Sequence, residues 1–123
     1  MSLNHDLKDI LKKYANHPDF LGIDLVDPNQ KGAIDDAPLH IAVRRGSEED
    51  VLELLNHGAD INMKGDLGNT PLHFAAMVGR AKIVKLLLKK GANPKLLNEF
   101  SETPLKVSQL GDKKEVEEIL KEV

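Results

Sequence analysis

The triplets Pro38-Leu39-His40, Pro71-Leu72-His73 and Pro104-Leu105-Lys106 recur at a constant spacing of 33 residues, and this period limits the fold more than any other feature of the chain. Other markers keep step with it: Gly46 with Gly79, Val51 with Val84, Leu54-Leu55 with Leu87-Leu88, and Gly58-Ala59 with Gly91-Ala92. Residues 37–69 laid on 70–102 share ten identities. Unrelated segments of ordinary composition would share about two. A periodic chain of 123 residues is one array of similar units. A second independent core would need roughly another hundred residues.

Each period reads as helix, tight turn, helix and an extended hairpin-like loop. Thr70 is a good N-cap, and Pro71 suits the first helical position, where its missing N–H costs nothing. Leu72, Ala75 and Ala76 give that helix a buried stripe, and Gly79 ends it in a turn. Ile83, Val84, Leu87 and Leu88 form the apolar face of a second helix, with Lys82, Lys85 and Lys89 opposite and Gly91 closing it. The loop 92–102 carries turn formers and leads into the next Thr-Pro pair. One such unit cannot bury both faces of its helices, so units must stack. The scarcity of aromatics and the lack of Trp leave Leu, Ile, Val and Ala to build the interior, which suits closely packed helices.

With Thr70-Pro71-Leu72-His73-Phe74-Ala75-Ala76, the run from Gly79 to Asn93, and Gly58-Ala59-Asp60-Ile61-Asn62, the chain closely resembles the ankyrin-repeat family. The resemblance covers residues 37–123 directly and implies an all-α solenoid of stacked helix-turn-helix units with hairpin-like loops. It divides the chain into an N-terminal capping helix and long hairpin loop (1–36), repeats at 37–69 and 70–102, and a C-terminal capping repeat (103–123). Asp6 to Tyr14 looks like the second helix of an N-terminal half-repeat, with Leu3, Leu7, Ile10 and Leu11 buried. Three departures carry expectations. Ala37 stands where the family usually has Thr, so a cap is lost unless Asp36 substitutes. The loop from Gly22 to Leu39 is three residues longer than those from Gly58 to Leu72 and Gly91 to Leu105, which predicts a protruding hairpin. The stretch from Leu105 to Gly111 is one residue short, and the last helix, 112–123, is dense in Lys and Glu, as a solvated cap should be.

No side-chain constellation points to chemistry. The chain has no Cys, which excludes disulfides, thiolate metal sites and a thiol nucleophile and fits a reducing compartment. The first twenty residues mix charges with single apolar residues, so neither a signal-peptide core nor a spanning segment is expected there. A cytoplasmic protein without a membrane partner follows. A net charge of −3 with interspersed signs offers no field that would draw nucleic acid. The family resemblance implies that His40 and His73 are structural, bonding loop backbone, and Lys106 in the third place fits that role. His5, His17 and His57 lack metal-ligand spacing. Asp24, Asp27, Asp35 and Asp36 lack the alternating register and central Gly of a calcium loop. Gly65-Asp66-Leu67-Gly68 has no following Lys-Ser/Thr and reads as a turn. Lys82, Lys85, Lys89, Lys90, Lys113 and Lys114 lie on outer helices with no aromatic residue interleaved for base stacking, and read as a solvated face. No catalytic residue, metal or cofactor is expected.

Proteins that resemble ankyrin stacks bind other proteins with their hairpin tips and the concave face of their first helices. The 33-residue register places Ile34 and Asp36, then Asp66, Leu67 and Asn69, then Glu99, Phe100 and Glu102 at the tips. It places Arg44, Arg45, Met77 and Val78 at the concave helix ends. Ile34, Leu67 and Phe100 are equivalent, giving a row of large apolar residues on loops that a core does not need, with Arg and carboxylates around it. The expectation is a non-catalytic, monomeric module that holds one protein partner. The alternative is a small bacterial-type inhibitor or immunity protein that occludes an enzyme or toxin.

Overall fold

The computed structural model describes residues 6–123, so Leu3 and His5 lie outside the described residues. Those residues form seven α-helices and no strand: α1 (Leu7–Ala15), α2 (Pro38–Arg45), α3 (Glu48–Asn56), α4 (Pro71–Val78), α5 (Ala81–Lys89), α6 (Pro104–Leu110) and α7 (Lys114–Lys121). Short 3-10 turns occur at Pro18–Phe20 and Asp66–Gly68. Helices α2, α4 and α6 pack side by side as an inner row, each against its own outer helix, α3, α5 or α7. Helix α1 has no inner helix among the described residues and packs on α3.

Local chemistry sets the boundaries. Thr70 and Thr103 accept the backbone N–H groups of His73 and Lys106, and Pro71 and Pro104 open the helices behind them. One continuous core runs through the stack from Ile10 and Tyr14 to Val116 and Leu120, with Leu72, Ala75 and Ala76 in its middle. Ile83, Val84 and Leu87 are buried with them, while Leu88 is half-buried and Lys82, Lys85 and Lys89 face out. On α1, Ile10, Leu11 and Tyr14 are buried and Leu7 is half-buried. The Tyr14 hydroxyl donates to Asp50 at 2.6 Å and the Lys13 ammonium to the same carboxylate at 3.0 Å, which pins α1 to α3.

Each of the three departures resolves differently. At the start of α2, Asp36 does not take over as cap, because its carboxylate is committed to Arg44 and to the Asp66 N–H. The Ala37 carbonyl accepts the His40 N–H instead, and the Ala37 N–H donates to His40 Nδ1.

The expected protruding hairpin is absent. Residues 32–36 close the same turn as 65–69 and 98–102, through N–H to carbonyl bonds from Gly32 to Asp36, Gly65 to Asn69 and Asn98 to Glu102. The extra chain lies earlier: Asn16-His17 repeats Asn56-His57, but His17 and Asp27 are ten residues apart where His57 and Asp60 are three. Part of this insertion folds inward, while Leu21 and Val26 stay exposed. Its 3-10 turn buries Phe20 in the core, and the Asp19 carbonyl accepts the Ala33 N–H at 2.7 Å, so the insertion covers the end of the first unit.

The last unit is not one residue short. Lys113 N–H bonds the Ser108 carbonyl just as Arg80 bonds Ala75 and Ser47 bonds Ala42, each 33 residues apart. Gly46 and Gly79 turn the chain at φ of 78° and 81°, and Asp112, not Gly111, takes that left-handed position at φ 56°. A short polar side chain tolerates this region better than most.

Candidate protein-binding surface

The hairpins are locked to one another by polar side chains. Asp27, Asp60 and Asn93 each accept the backbone N–H two residues on, so the same turn is built at every unit. Asn29 and Asn62 then accept the N–H of Asp60 and Asn93 in the next hairpin, at 2.6 and 2.9 Å. Nearer the tips, buried Asp36 accepts the Asp66 N–H at 2.8 Å and a guanidinium N–H of Arg44 at 2.7 Å. Buried Asn69 accepts from the Asn98 amide, and the Leu67 carbonyl accepts the Glu99 N–H at 3.0 Å.

His40 and His73 belong to this frame. His73 Nδ1 accepts the Thr70 N–H, which leaves its Nε2 to donate to the Glu102 carbonyl at 2.8 Å. His40 accepts the Ala37 N–H and donates to Met63 at 2.7 Å. Burial holds both imidazoles below the ordinary histidine range, and both are neutral. Asp50 is held below the ordinary carboxylate range: burial pushes it up, but hydrogen bonds from Tyr14 and Lys13 outweigh that.

Two of the polar residues placed at the tips by register, Asp36 and Asn69, are therefore buried parts of the frame. Glu102 is half-buried and accepts from the Asn98 amide. Asp66 is half-buried and Glu99 exposed. The apolar tip residues are on the outside: Ile34 and Leu67 are each 46% exposed and Phe100 62%. At the other end of the inner helices Met77 and Val78 are exposed, as is Arg45, whose guanidinium lies 5.1 Å from the centre of the Tyr14 ring. Arg44 is half-buried, stacked 4.7 Å over the Phe74 ring and tied to Asp36. An inner helix of eight residues separates the tip row from the concave helix ends by about 12 Å. They form two separate lines of exposed side chains, not one patch. Leu110, 62% exposed, completes the second line 33 residues after Met77. Sequence reasoning missed it because the last unit had been set one residue out of register.

The middle tip differs from its neighbours. Ile34 and Phe100 have ordinary backbone, and only the residue after each, Asp35 or Ser101, has positive φ. At the middle tip Leu67 itself is left-handed at φ 56° and ψ 26°, followed by Gly68 at φ 74°. Two consecutive positive-φ residues favour Asn-Gly or Gly-Gly, and a left-handed L-residue with a Cβ costs about 1–2 kcal/mol. Here the residue is a leucine that is 46% exposed and lies outside the hydrophobic core.

The remaining candidates stay dispersed. Asp27 caps its own turn, Asp35 lies 3.5 Å from Lys31, and among the described residues no group of three His, Cys, Asp or Glu converges as a metal site would require. Lys82 shares a groove with Glu48 and Glu115 of the flanking outer helices, so carboxylates interrupt the basic face there. No helix among the described residues is long and apolar enough to cross a membrane.

Stacked inner and outer helices joined by locked hairpins at a fixed 33-residue period define a solenoid repeat protein. The family model described as ankyrin repeats in three copies matches residues 2–98, and the chain belongs to the ankyrin-repeat family. No curated protein matches it in sequence. Repeats of this family generally mediate protein–protein interaction and are typically non-catalytic.

Proposed function

We propose that this protein is a non-catalytic interaction module that holds one protein partner on its row of hairpin tips, Ile34, Leu67 and Phe100. The exposed concave helix ends at Met77, Val78 and Leu110 supply the second line of contact. The observation that carries this reading is Leu67. It occupies backbone that glycine or asparagine would adopt at lower cost, and its exposed side chain does little for the core. Strain kept where folding does not require it points to use. Exposed apolar anchors beside Asp66, Glu99 and Arg45 have the composition of an interface core with a polar rim.

The test is affinity capture from native extract with the unaltered chain and with a Leu67→Asp/Phe100→Ala variant shown by circular dichroism to be folded. A protein retained by the first and lost with the second identifies the partner and the surface together. Capture of the same proteins by both would mean that binding occurs elsewhere.

A further inference from the structure

The tip row also constrains the shape of what lies on it. We infer that the partner presents an amphipathic α-helix running along the stack, with apolar residues at every seventh position and Lys or Arg beside them. This rests on the tip row being the binding surface.

Three observations lead there. The first is spacing. Ile34, Leu67 and Phe100 occupy the same place in successive hairpins. Neighbouring units are separated by the packing distance of their helices, about 8–10 Å. A helix advances about 10.5 Å in seven residues, so every seventh side chain meets one tip. A β-strand advances about 10 Å in three residues, but side chains three apart point to opposite faces, so it cannot present one residue to each tip.

The second observation points the same way. An extended segment laid across the hairpins needs free backbone donors and acceptors to pair with, as at an open sheet edge. The tip N–H groups that face along the stack are already taken: Ala33 by the Asp19 carbonyl, Asp66 by Asp36 and Glu99 by the Leu67 carbonyl. An extended partner would find these N–H groups closed to its own carbonyls. A helix arrives with its peptide bonds satisfied internally.

The third is charge. In the register column next to the apolar row stand Ala33, Asp66 and Glu99. Neither Asp66 nor Glu99 is among the ion pairs of the described residues. A rim with two carboxylates available favours cations on the flank of the helix that meets it. Contact with all three tips takes two seven-residue steps, hence a helix of at least about 15 residues.

The experiment is selection of displayed random peptides of about 20 residues, long enough to span the row as a helix, on the unaltered protein. Enriched sequences are synthesised, and their affinity for the protein and for the folded Leu67→Asp/Phe100→Ala variant is measured by fluorescence anisotropy. Far-ultraviolet circular dichroism of free and bound peptide reports helix formation. The expected peptides carry large apolar residues at seven-residue spacing with Lys or Arg adjacent, gain helicity on binding, and weaken at least about tenfold on the variant, as loss of anchor residues should. Peptides that weaken on the variant but stay non-helical, or show another period, overturn the helical partner while leaving the tip surface standing. Peptides that bind both proteins alike overturn both readings, and failure to enrich any peptide overturns the helical one.

Discussion

Two columns of loop residues stand two positions apart in the repeat and invert the usual partition of polarity. Asp36, Asn69 and Glu102 are polar and buried or half-buried, whereas Ile34, Leu67 and Phe100 are apolar and exposed. Most buried polar groups in folded proteins are bonded, and a bonded network specifies one geometry. The inner column therefore holds the hairpins in register. The outer column has no comparable task in the fold, and the difference between the two is the difference between a frame and what it displays.

The largest effect should come from breaking the frame. Asp36→Ala leaves the Asp66 N–H and the half-buried Arg44 guanidinium without their acceptor, and losing a charged acceptor of this kind costs about 1.5–3 kcal/mol. Urea denaturation would show it, and Phe100→Ala, two positions from the equivalent column, should lie within about 0.5 kcal/mol of the unaltered chain. Next in size is Gly65→Ala. A Cβ there would press on the Asp36 carboxylate and the His40 ring, neither of which can move without giving up its bonds. Overpacking of this kind costs about 1–3 kcal/mol, read in the same experiment.

Acid should loosen the frame more gently. His40 and His73 bind protons less readily in the folded chain than in the unfolded one, so protons favour unfolding once the unfolded imidazoles titrate. Stability is at its full value above the ordinary histidine pKa of about 6.5 and should fall as pH drops below it, each unit of displacement amounting to about 1.4 kcal/mol. Thermal melts between neutral pH and about pH 5 would record a declining Tm that His73→Gln makes shallower. The smallest expected change is a gain. Asp112→Gly relieves the left-handed turn between α6 and α7 by about 0.5–1 kcal/mol, a rise of a few degrees in Tm.

The stacking, the helix starts and the tip row were all legible in the sequence, because Thr-Pro starts, apolar spacing and the 33-residue step are written in residue types. Register in the last unit was not. Gly111 looks like the counterpart of Gly79, but the turn requires positive φ rather than glycine, and Asp112 meets that requirement one residue later. That single shift hid Leu110. The length of the first loop was visible, its placement was not, since only packing shows that Phe20 folds into the core. Asp36 and Asn69 read as loop acids and amides at the surface because their partners lie 30 and 29 residues away in the next hairpin. No local pattern announces such bonds.

The separation of frame from display is tested most directly at one residue. Leu67→Gly removes an exposed anchor and eases the left-handed backbone in one substitution. Equilibrium urea unfolding and partner binding, measured on the same preparation, should show stability rising by about 1 kcal/mol while binding falls at least about tenfold. A protein that loses stability and keeps its partner would show instead that Leu67 belongs to the fold, and the tip row would cease to be the binding surface.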